Sequence, residues 1–388
     1  MALRPLRHLM LDPALVLLCT APALLLAPPA HAATPWFAAV QSSSLANGQG
    51  PGPAPRGTAT ADFTSDGRAD LVTIGNFTMG NLLVVPGNGN GTFGTPLEIA
   101  GTSGTQGLDA GDVNADGLAD VVAMTTQAVK VEVGDGHGHF TLSGSYPLNL
   151  GGQVEPLLAD LDSDGDADIV APTFNAIQTL INNGHGTFTA GPTSQVSGSS
   201  ALSAISVARL NQDARTDLLA VDGSSGATFA LVGAGTGAFT VSGKLNATAF
   251  VPEDVAAIDL NGDGISDVAT IGSFSFSVTT ALTDGTGKFV SSTVGTYQYS
   301  GPGPTSATVA DLDRDGRQDL VVSSLANPSA GNEMVLAGNG TTQMSKIGDY
   351  AVAPFAQNPV LVDCTGDGRI DLVTVSPGTI SELTNTTS

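Results

Sequence analysis

Cysteine and basic residues are scarce in this chain of 388 residues. Only two cysteines occur, and one of them, Cys19, lies in the apolar N-terminal segment, so no disulfide is expected within the remainder. Lysine and arginine number 13 against 36 acidic residues, which gives a formal net charge of −23. Nucleic acids and anionic membranes bind basic surfaces, so neither is expected as a partner. Long runs of helix-forming residues are also missing, whereas glycine, threonine, serine and valine are frequent, as in short strands joined by tight turns.

The first residues resemble a secretory signal. A positive start is followed by an apolar run over 14–27 and by small residues that suit cleavage after Ala32. The apolar run is too short and too often interrupted by proline to be a membrane-spanning helix, so no membrane insertion is expected. We therefore expect residues 1–32 to be a removed leader. Residues 33–388 would be the mature protein, secreted or held in the periplasm or at the cell surface.

One acidic motif recurs along the chain. It reads Asp-x-(Asp/Asn/Thr)-x-Asp-Gly-x-x-Asp, as in Asp160–Asp168. Successive copies start 48 to 52 residues apart, and the seven starting positions are Asp62, Asp112, Asp160, Arg209, Asp259, Asp311 and Asp363. So even a spacing indicates a repeat architecture in which each unit has the same structure.

Each copy lies among short apolar stretches that read as strands. An alternating stretch precedes the motif, two apolar runs follow it, and a glycine-rich turn that ends in phenylalanine, such as Gly186–Phe188, leads into the last stretch. Four short strands in about fifty residues are the pattern of a propeller blade. The sequence therefore predicts an all-β, seven-bladed β-propeller made of four-stranded antiparallel blades over residues 33–388.

The last repeat lacks its fourth strand. It ends after the apolar stretch at 379–383, whereas Trp36–Val40 lies well ahead of the first acidic motif. We expect this N-terminal strand to complete the last blade, because such a clasp closes the ring and removes exposed sheet edges. The segment 42–56, rich in Gly, Pro and Ser, is expected to be a surface loop.

The acidic motif has the donor pattern of a calcium site. Side-chain oxygens at positions 1, 3, 5 and 9 can converge if the chain turns sharply at position 6, where glycine permits the turn. The carbonyl of position 7 can add another hard oxygen, and such a set suits Ca²⁺ better than Zn²⁺ or Mg²⁺. An EF-hand is excluded, because the glutamate at position 12 is missing and the flanks are strand-like. Turn formation alone would not require three carboxylates that repel one another.

Six copies are therefore predicted to bind about six calcium ions in total. The predicted ligands are Asp62, Thr64, Asp66, Arg68, Asp70, Asp112, Asn114, Asp116, Leu118, Asp120, Asp160, Asp162, Asp164, Asp166, Asp168, Asp259, Asn261, Asp263, Ile265, Asp267, Asp311, Asp313, Asp315, Arg317, Asp319, Asp363, Thr365, Asp367, Arg369 and Asp371. Position 7 contributes only its backbone carbonyl.

The fourth copy departs from the pattern. Arg209 occupies position 1 and Ala214 replaces the glycine, so we expect this copy to bind no calcium and Arg209 to pair with Asp213 or Asp217. Position 2 is apolar in the other copies, and Cys364 occupies it in the seventh. Cys364 is therefore expected to be a small buried apolar residue and not a nucleophile.

These residues closely resemble the FG-GAP/VCBS repeat family, which includes the calcium loops of integrin α-subunit propellers. The literal Phe-Gly…Gly-Ala-Pro signature is absent, so the bacterial-type VCBS variant fits better. The resemblance implies that each loop joins the first two strands of a blade, on the face opposite the usual ligand-binding face, and that the calcium is structural. The family includes adhesion proteins, lectins and non-catalytic modules of polysaccharide-degrading enzymes.

The sequence favours a non-catalytic protein. Beyond the leader, the histidines are His137, His139 and His185, and all lie in glycine-rich turns. Asp135 and His137 could form an acid–base pair, but a turn role is favoured. No motif of a nucleophile elbow, a zinc protease or a phosphate loop is found.

The partner is expected to be an extracellular protein bound by a monomeric recognition or adhesion module. A lectin is the alternative, and an accessory role in polysaccharide degradation is a third possibility. A sugar ring needs an exposed aromatic face, and the repeated phenylalanine reads as core. Trp36, Tyr297 and Tyr299 are therefore the candidates for a single irregular sugar site.

Overall fold

Short strands alternate with tight turns throughout the part of the chain that the computed structural model describes. The described residues are 36–45, 57–75, 81–148, 154–246, 252–272, 277–297, 303–324 and 331–387. All secondary-structure elements assigned within these ranges are β-strands. None of the described residues belongs to a helix long and apolar enough to cross a membrane. The predicted leader lies outside the described residues.

The strands have the following bounds. In chain order they are β1 (Gln41–Ser44), β2 (Thr58–Ala61), β3 (Asp70–Ile74), β4 (Leu82–Val85), β5 (Leu97–Ile99), β6 (Thr105–Gly111), β7 (Asp120–Thr125), β8 (Ala128–Gly134), β9 (Phe140–Pro147), β10 (Leu157–Ala159), β11 (Asp168–Pro172), β12 (Ala176–Asn182), β13 (Phe188–Gln195), β14 (Leu202–Ala208), β15 (Asp217–Asp222), β16 (Ala227–Gly233), β17 (Phe239–Asn246), β18 (Pro252–Ile258), β19 (Asp267–Gly272), β20 (Ser277–Thr283), β21 (Phe289–Thr296), β22 (Pro304–Ala310), β23 (Asp319–Ser324), β24 (Gly331–Ala337), β25 (Ser345–Val352), β26 (Gln357–Val362), β27 (Asp371–Ser376) and β28 (Thr379–Leu383).

These strands form seven four-stranded antiparallel sheets, which are the blades of a β-propeller. Blades 1 to 6 each take four consecutive strands, from β2–β5 in blade 1 to β22–β25 in blade 6, and blade 7 has the order β1-β28-β27-β26. The first strand of each blade contacts the first strand of the next, and β26 contacts β2, so the ring closes. The predicted all-β seven-bladed propeller, closed by an N-terminal strand, is confirmed.

The closing strand lies further along the chain than predicted. Gln41–Ser44 pairs with β28, whereas within 36–40 only Phe37 forms a bridge, with Asn385. Trp36 and Phe37 are only 5% and 3% exposed, although neighbours in a regular strand point to opposite faces. The predicted strand at 36–40 and the predicted loop from 42 were thus both misplaced. The polar edge strand β1 comes after the two buried aromatic residues in the chain. The rest of the predicted loop, residues 46–56, lies outside the described residues.

Tyr350 of blade 6 anchors this N-terminal segment. Its hydroxyl accepts a hydrogen bond from the Trp36 N–H at 2.8 Å, and its ring meets Phe37 edge to face at 5.2 Å. We expect Tyr350→Phe to lower the free energy of unfolding by about 1–2 kcal/mol, because the Trp36 N–H loses its partner. Urea denaturation measures the change. Tyr297→Phe, which removes a longer bond to the Met344 carbonyl (3.3 Å), is the matched control. An equal effect in both variants would contradict the anchoring role.

The apolar core lies between the blades. Seven clusters of buried side chains are formed by the described residues, one at each interface between adjacent blades. The cluster between blades 3 and 4 joins Val170 and Ile177 to Phe229 and Leu231. The second strands are covered on both faces, so they read as continuous apolar runs, such as the fully buried β3. The apolar core of the propeller is therefore divided into seven clusters, one at each interface between adjacent blades.

A buried acid in blade 6 predicts a pH effect on stability. Glu333 is fully buried, and the Ser323 hydroxyl lies 2.8 and 2.7 Å from its two oxygens. Burial raises its pKa from 4.5 to about 8. The folded protein therefore holds a proton that the unfolded chain releases, so this group's stabilising contribution is full below pH 4.5 and is lost as the pH rises through about 8.

Relative to Glu333→Gln, the wild-type protein should lose about 1.4 kcal/mol of unfolding free energy per pH unit between roughly pH 6 and 8. Urea denaturation at several pH values, with calcium held constant, measures this difference. A pH-independent difference between the two proteins would contradict burial of an uncharged Glu333.

Candidate metal centres

The acidic motifs occupy the same place in every blade. Each forms the eight-residue connection between the first and second strands, from 62–69 in blade 1 to 363–370 in blade 7. Since the first strands line the ring side by side, all seven loops lie at one end of the propeller. This is the position that the family resemblance implied.

Two backbone positions in each of the six regular loops adopt the left-handed conformation. Position 6 is the predicted glycine, for example Gly67 with φ of 79°. Position 4, for which the motif itself predicts no special conformation, is also left-handed and carries a side chain in four loops, as in Ser65 with φ of 53°. In the fourth loop neither Gln212 nor Ala214 has a positive φ. The fourth loop therefore follows a different path.

The carboxylate at position 1 caps the turn in the six regular loops. Its Oδ2 accepts a hydrogen bond from the N–H of the glycine at position 6, at 2.7 to 3.1 Å. The carboxylate at position 5 accepts one from the N–H of position 7, as in Asp66 and Arg68. The loops are thus folded so that these carboxylates face inward.

The carboxylate at position 9 has a structural role in all seven blades. Its Oδ2 accepts a hydrogen bond from the N–H of position 2, and its Oδ1 accepts one from an N–H at the end of the third strand or just beyond it. Asp217 of the irregular fourth loop makes the same two bonds, to Leu210 N at 2.8 Å and Gly233 N at 2.8 Å. Position 9 therefore ties the loop to the blade even where the other donors are missing, a role that sequence reasoning missed.

Two loops bring three carboxylates together. Ligand oxygens of Asp160, Asp162 and Asp168 in blade 3 all lie within 4.8 Å of one another, as do those of a second trio in blade 6. That second trio is Asp311, Asp313 and Asp315. These are the two loops with aspartate at position 3. The fourth predicted carboxylate of each loop, Asp164 or Asp319, is not part of its trio.

The donor geometry fits a calcium ion. Ca²⁺ takes oxygen ligands at about 2.3–2.6 Å, so two of its ligands can be up to about 5 Å apart. Asp162 Oδ1 is buried and has no hydrogen-bond partner among the described residues. Burial and the nearby Asp164 carboxylate raise the pKa of Asp162. The trio of blade 3 thus has a free buried oxygen and an excess of negative charge.

Three of the position-9 carboxyls have pKa values well above the usual one. Burial raises the pKa of Asp319 to about 7 and that of Asp168 and Asp267 to about 6, although their backbone hydrogen bonds act in the opposite direction. Nearby carboxylates of the same loops raise these pKa values further. A bound cation would favour the ionised forms instead.

Arginine at position 7 partly neutralises three loops. Its guanidinium pairs with the position-5 carboxylate in Arg68–Asp66, Arg317–Asp315 and Arg369–Asp367, at 3.3, 2.9 and 2.7 Å. These pairs are exposed or half-exposed and contribute little stability. Leu118, Asp166 and Ile265 hold the same position in the other regular loops.

The predicted ion pair of Arg209 is not formed. Asp213 instead pairs with Arg215 at 3.8 Å, both oxygens of Asp217 accept backbone N–H groups, and Arg209 makes no ion pair with any described residue. The reason is the altered path of the fourth loop, in which the Arg209 N–H bonds to Ser266 of the next blade at 2.9 Å.

Position 2 is buried in every copy, as predicted. Its side chain is at most 5% exposed, including Cys364. The residues at position 12, such as Thr73 and Val322, are buried within the second strand, so the EF-hand alternative fails on structure as well.

The other predicted candidates have structural partners. Asp135 accepts hydrogen bonds from the N–H groups of His137 and His139 and so closes a turn. Trp36 is buried in the clasp, and Tyr297 is half-buried against the core between blades 5 and 6. Trp36 therefore offers no open face to a sugar ring. Tyr299 lies outside the described residues.

Comparison with known proteins agrees with this architecture. Residues 62–123, 112–171, 160–220, 209–270 and 259–322 match the FG-GAP-like repeat. No match was found among curated proteins.

Three solved structures have a similar fold. One is an Agrocybe aegerita lectin that recognises non-reducing terminal N-acetylglucosamine, with 21% identity, 87% of this chain and 86% of that chain covered, and a TM-score of 0.56. The second is the exotype rhamnogalacturonan lyase YesX, which is 13% identical. The match covers 89% of this chain and 76% of that chain, with a TM-score of 0.51. The third is BBS1N in complex with ARL6DN, which is 11% identical. The match covers 87% of this chain and 93% of that chain, with a TM-score of 0.59. At these identities the likeness concerns the fold alone. The repeat matches extend over most of the propeller, and the chain belongs to the FG-GAP-like repeat family.

Proposed function

We propose that this protein is an exported calcium-binding propeller that acts as a non-catalytic recognition module. The observation that carries the proposal is the convergence of three carboxylates in the loops of blades 3 and 6. Without a cation, their mutual repulsion would oppose folding. Calcium in the six regular loops would offset about half of the formal charge of −23.

The two ends of the propeller support a division of roles. The acidic loops have eight residues in all seven blades, whereas the connections between the second and third strands range from two residues (126–127) to seven (75–81). Constant length suits a repeated structural role, and variable connections suit recognition. We place the partner site at the end opposite the calcium loops, with an extracellular protein as the partner.

Equilibrium dialysis against calcium tests the first part of the proposal. We expect about six ions per chain at millimolar calcium, the range typical of extracellular modules. Asp160→Ala should remove one ion, and Asp213→Ala in the fourth loop should remove none. A count near zero for the folded wild-type protein would overturn the calcium assignment.

A carbohydrate ligand is the second candidate, favoured by one observation. Phe174 is 57% exposed and lies in the connection between β11 and β12, at the variable end of the ring. An exposed aromatic ring can stack on a sugar. The fold is also shared with a lectin.

A glycan array probed in calcium and again in EDTA decides between the two partners. Binding that is lost in Phe174→Ala but kept in Val290→Ala, an exposed apolar residue on an outer strand, would support the carbohydrate ligand. No binding by the folded protein would favour a protein partner.

A further inference from the structure

A second kind of polar cluster lies behind the seventh acidic loop. Cys364 at position 2, Asp371 at position 9 and Glu382 of β28 are 5%, 0% and 1% exposed. Their ligand atoms all lie within 4.8 Å of one another, and Cys364 Sγ is 3.3 Å from Asp371 Oδ2.

One oxygen of this cluster has no partner. Glu382 Oε1 accepts a hydrogen bond from the Thr384 hydroxyl at 2.9 Å, but Oε2 is buried without a hydrogen-bond partner among the described residues. No ion pair with lysine, arginine or histidine reaches the cluster from those residues. A buried carboxylate oxygen that has neither a hydrogen-bond partner nor a counter-charge is destabilising.

The two unusual residues occur together in one blade. Position 2 is phenylalanine, valine or leucine in the other six blades. The strand register places Val84, Val131, Thr179, Ala230, Thr280 and Val335 at the positions equivalent to Glu382. Blade 7 alone has a thiol at the first position and a carboxyl at the second, and these two side chains lie side by side.

We infer that Cys364, Asp371 and Glu382 form a buried site for one zinc-like divalent cation. A thiolate and two carboxylates suit a borderline-soft ion such as Zn²⁺ better than Ca²⁺. Tetrahedral zinc holds a sulfur and an oxygen ligand about 3.5 Å apart, close to the observed spacing of Cys364 Sγ and Asp371 Oδ2. Binding forms the metal–sulfur bond and releases the thiol proton to solvent.

The site lies at the seam that closes the ring. The Gly91 N–H of blade 1 donates a hydrogen bond to the Cys364 carbonyl at 3.2 Å. A Cβ at Gly91 would be only 2.7 Å from Glu382 Oε2. The cation would therefore lie beneath the turn between β4 and β5 of blade 1 and stabilise the contact between the last and first blades, where the described residues form no disulfide.

Cobalt binding tests this site in saturating calcium, because Asp371 is also a predicted calcium ligand of the seventh loop. The full chain is supplied with Co²⁺ during expression and again by dialysis, with saturating calcium and a thiol reductant present. We expect one Co²⁺ per chain with a thiolate-to-cobalt charge-transfer absorption. Cys364→Leu, which installs the residue of four other blades, should abolish the band and thereby assign it to Cys364 instead of Cys19.

Two further variants separate ligation from folding. Glu382→Val, the residue of three other blades at this position, should weaken Co²⁺ binding at least tenfold. Glu333→Gln, which alters a buried glutamate on β24 of blade 6 that is not part of this cluster, should leave Co²⁺ binding unchanged. Absence of the band in folded wild-type protein, or wild-type affinity in Glu382→Val, would overturn the inference. Calcium is counted by equilibrium dialysis in the same samples, so absence of the cobalt site can be distinguished from failure of the calcium proposal.

Discussion

Removal of calcium is expected to lower the free energy of unfolding by on the order of 8 kcal/mol, starting from a calcium concentration ten times the dissociation constant of the loops. Each filled site stabilises the folded state by about 1.4 kcal/mol at that ratio, and six independent sites add their contributions. The carboxylate trios of blades 3 and 6 provide the physical reason, since the ion replaces repulsion by attraction. Urea denaturation in calcium and in EDTA measures the difference.

Two controls separate specific binding from charge screening. Sodium chloride at the same ionic strength should reproduce only a small part of the effect, because screening acts on exposed charges and less on partly buried ones. Asp311→Ala should reduce the calcium-dependent stabilisation by about 1.4 kcal/mol. Asp213→Ala in the irregular fourth loop should leave it unchanged. Equal urea midpoints in calcium and EDTA would contradict the six-site proposal.

Replacement of Asp217 by alanine is expected to destabilise the protein by about 4 kcal/mol, with or without calcium. The fourth loop has no predicted ion, yet Asp217 is fully buried and accepts the N–H groups of Leu210 and Gly233. Removing the carboxylate leaves two buried donors unpaired, at about 1–3 kcal/mol each. Calcium-independent loss of stability would show that position 9 holds the loop to the blade by hydrogen bonds.

The equivalent change in a regular loop provides the comparison. Asp168→Ala should cost a similar amount in EDTA and more in calcium, because there the carboxylate is also a predicted ligand. Asp213→Ala, at a half-exposed position where one hydrogen bond from the Arg215 N–H is lost, should lower the free energy of unfolding by no more than about 1 kcal/mol. An Asp217→Ala protein with wild-type stability would refute the structural role.

The acidic motif therefore combines two roles that the sequence pattern does not separate, the proposed binding of a cation and the attachment of the loop to the blade. Positions 1, 3 and 5 face the interior of the loop and account for most of the converging oxygens. Position 9 is bonded to the backbone in every blade, including the one that lacks the other features. The persistence of Asp217 in the fourth copy is the one signal in the sequence that could have indicated this.

Some predictions failed where local pattern and packing differ. The apolar segment at Trp36 resembles a strand, but the strand forms at Gln41–Ser44, because both aromatic side chains at 36 and 37 are buried in the closing seam. Arg209 was expected to pair within its own loop, but the path of the loop takes its backbone to Ser266 of the next blade. In both cases contacts between blades determined the outcome.

The sequence by itself determined the number of blades, their four-stranded pattern, the place of the acidic loops and the burial of position 2, because each follows from a period or from polarity alternation repeated seven times. Only the tertiary structure decided which carboxylates converge, which one holds the backbone, and that Cys364 meets Glu382. Those facts depend on side-chain direction and on contacts between residues distant in the chain. A periodic pattern carries no information about either, since it is the same in every repeat whereas the contacts differ.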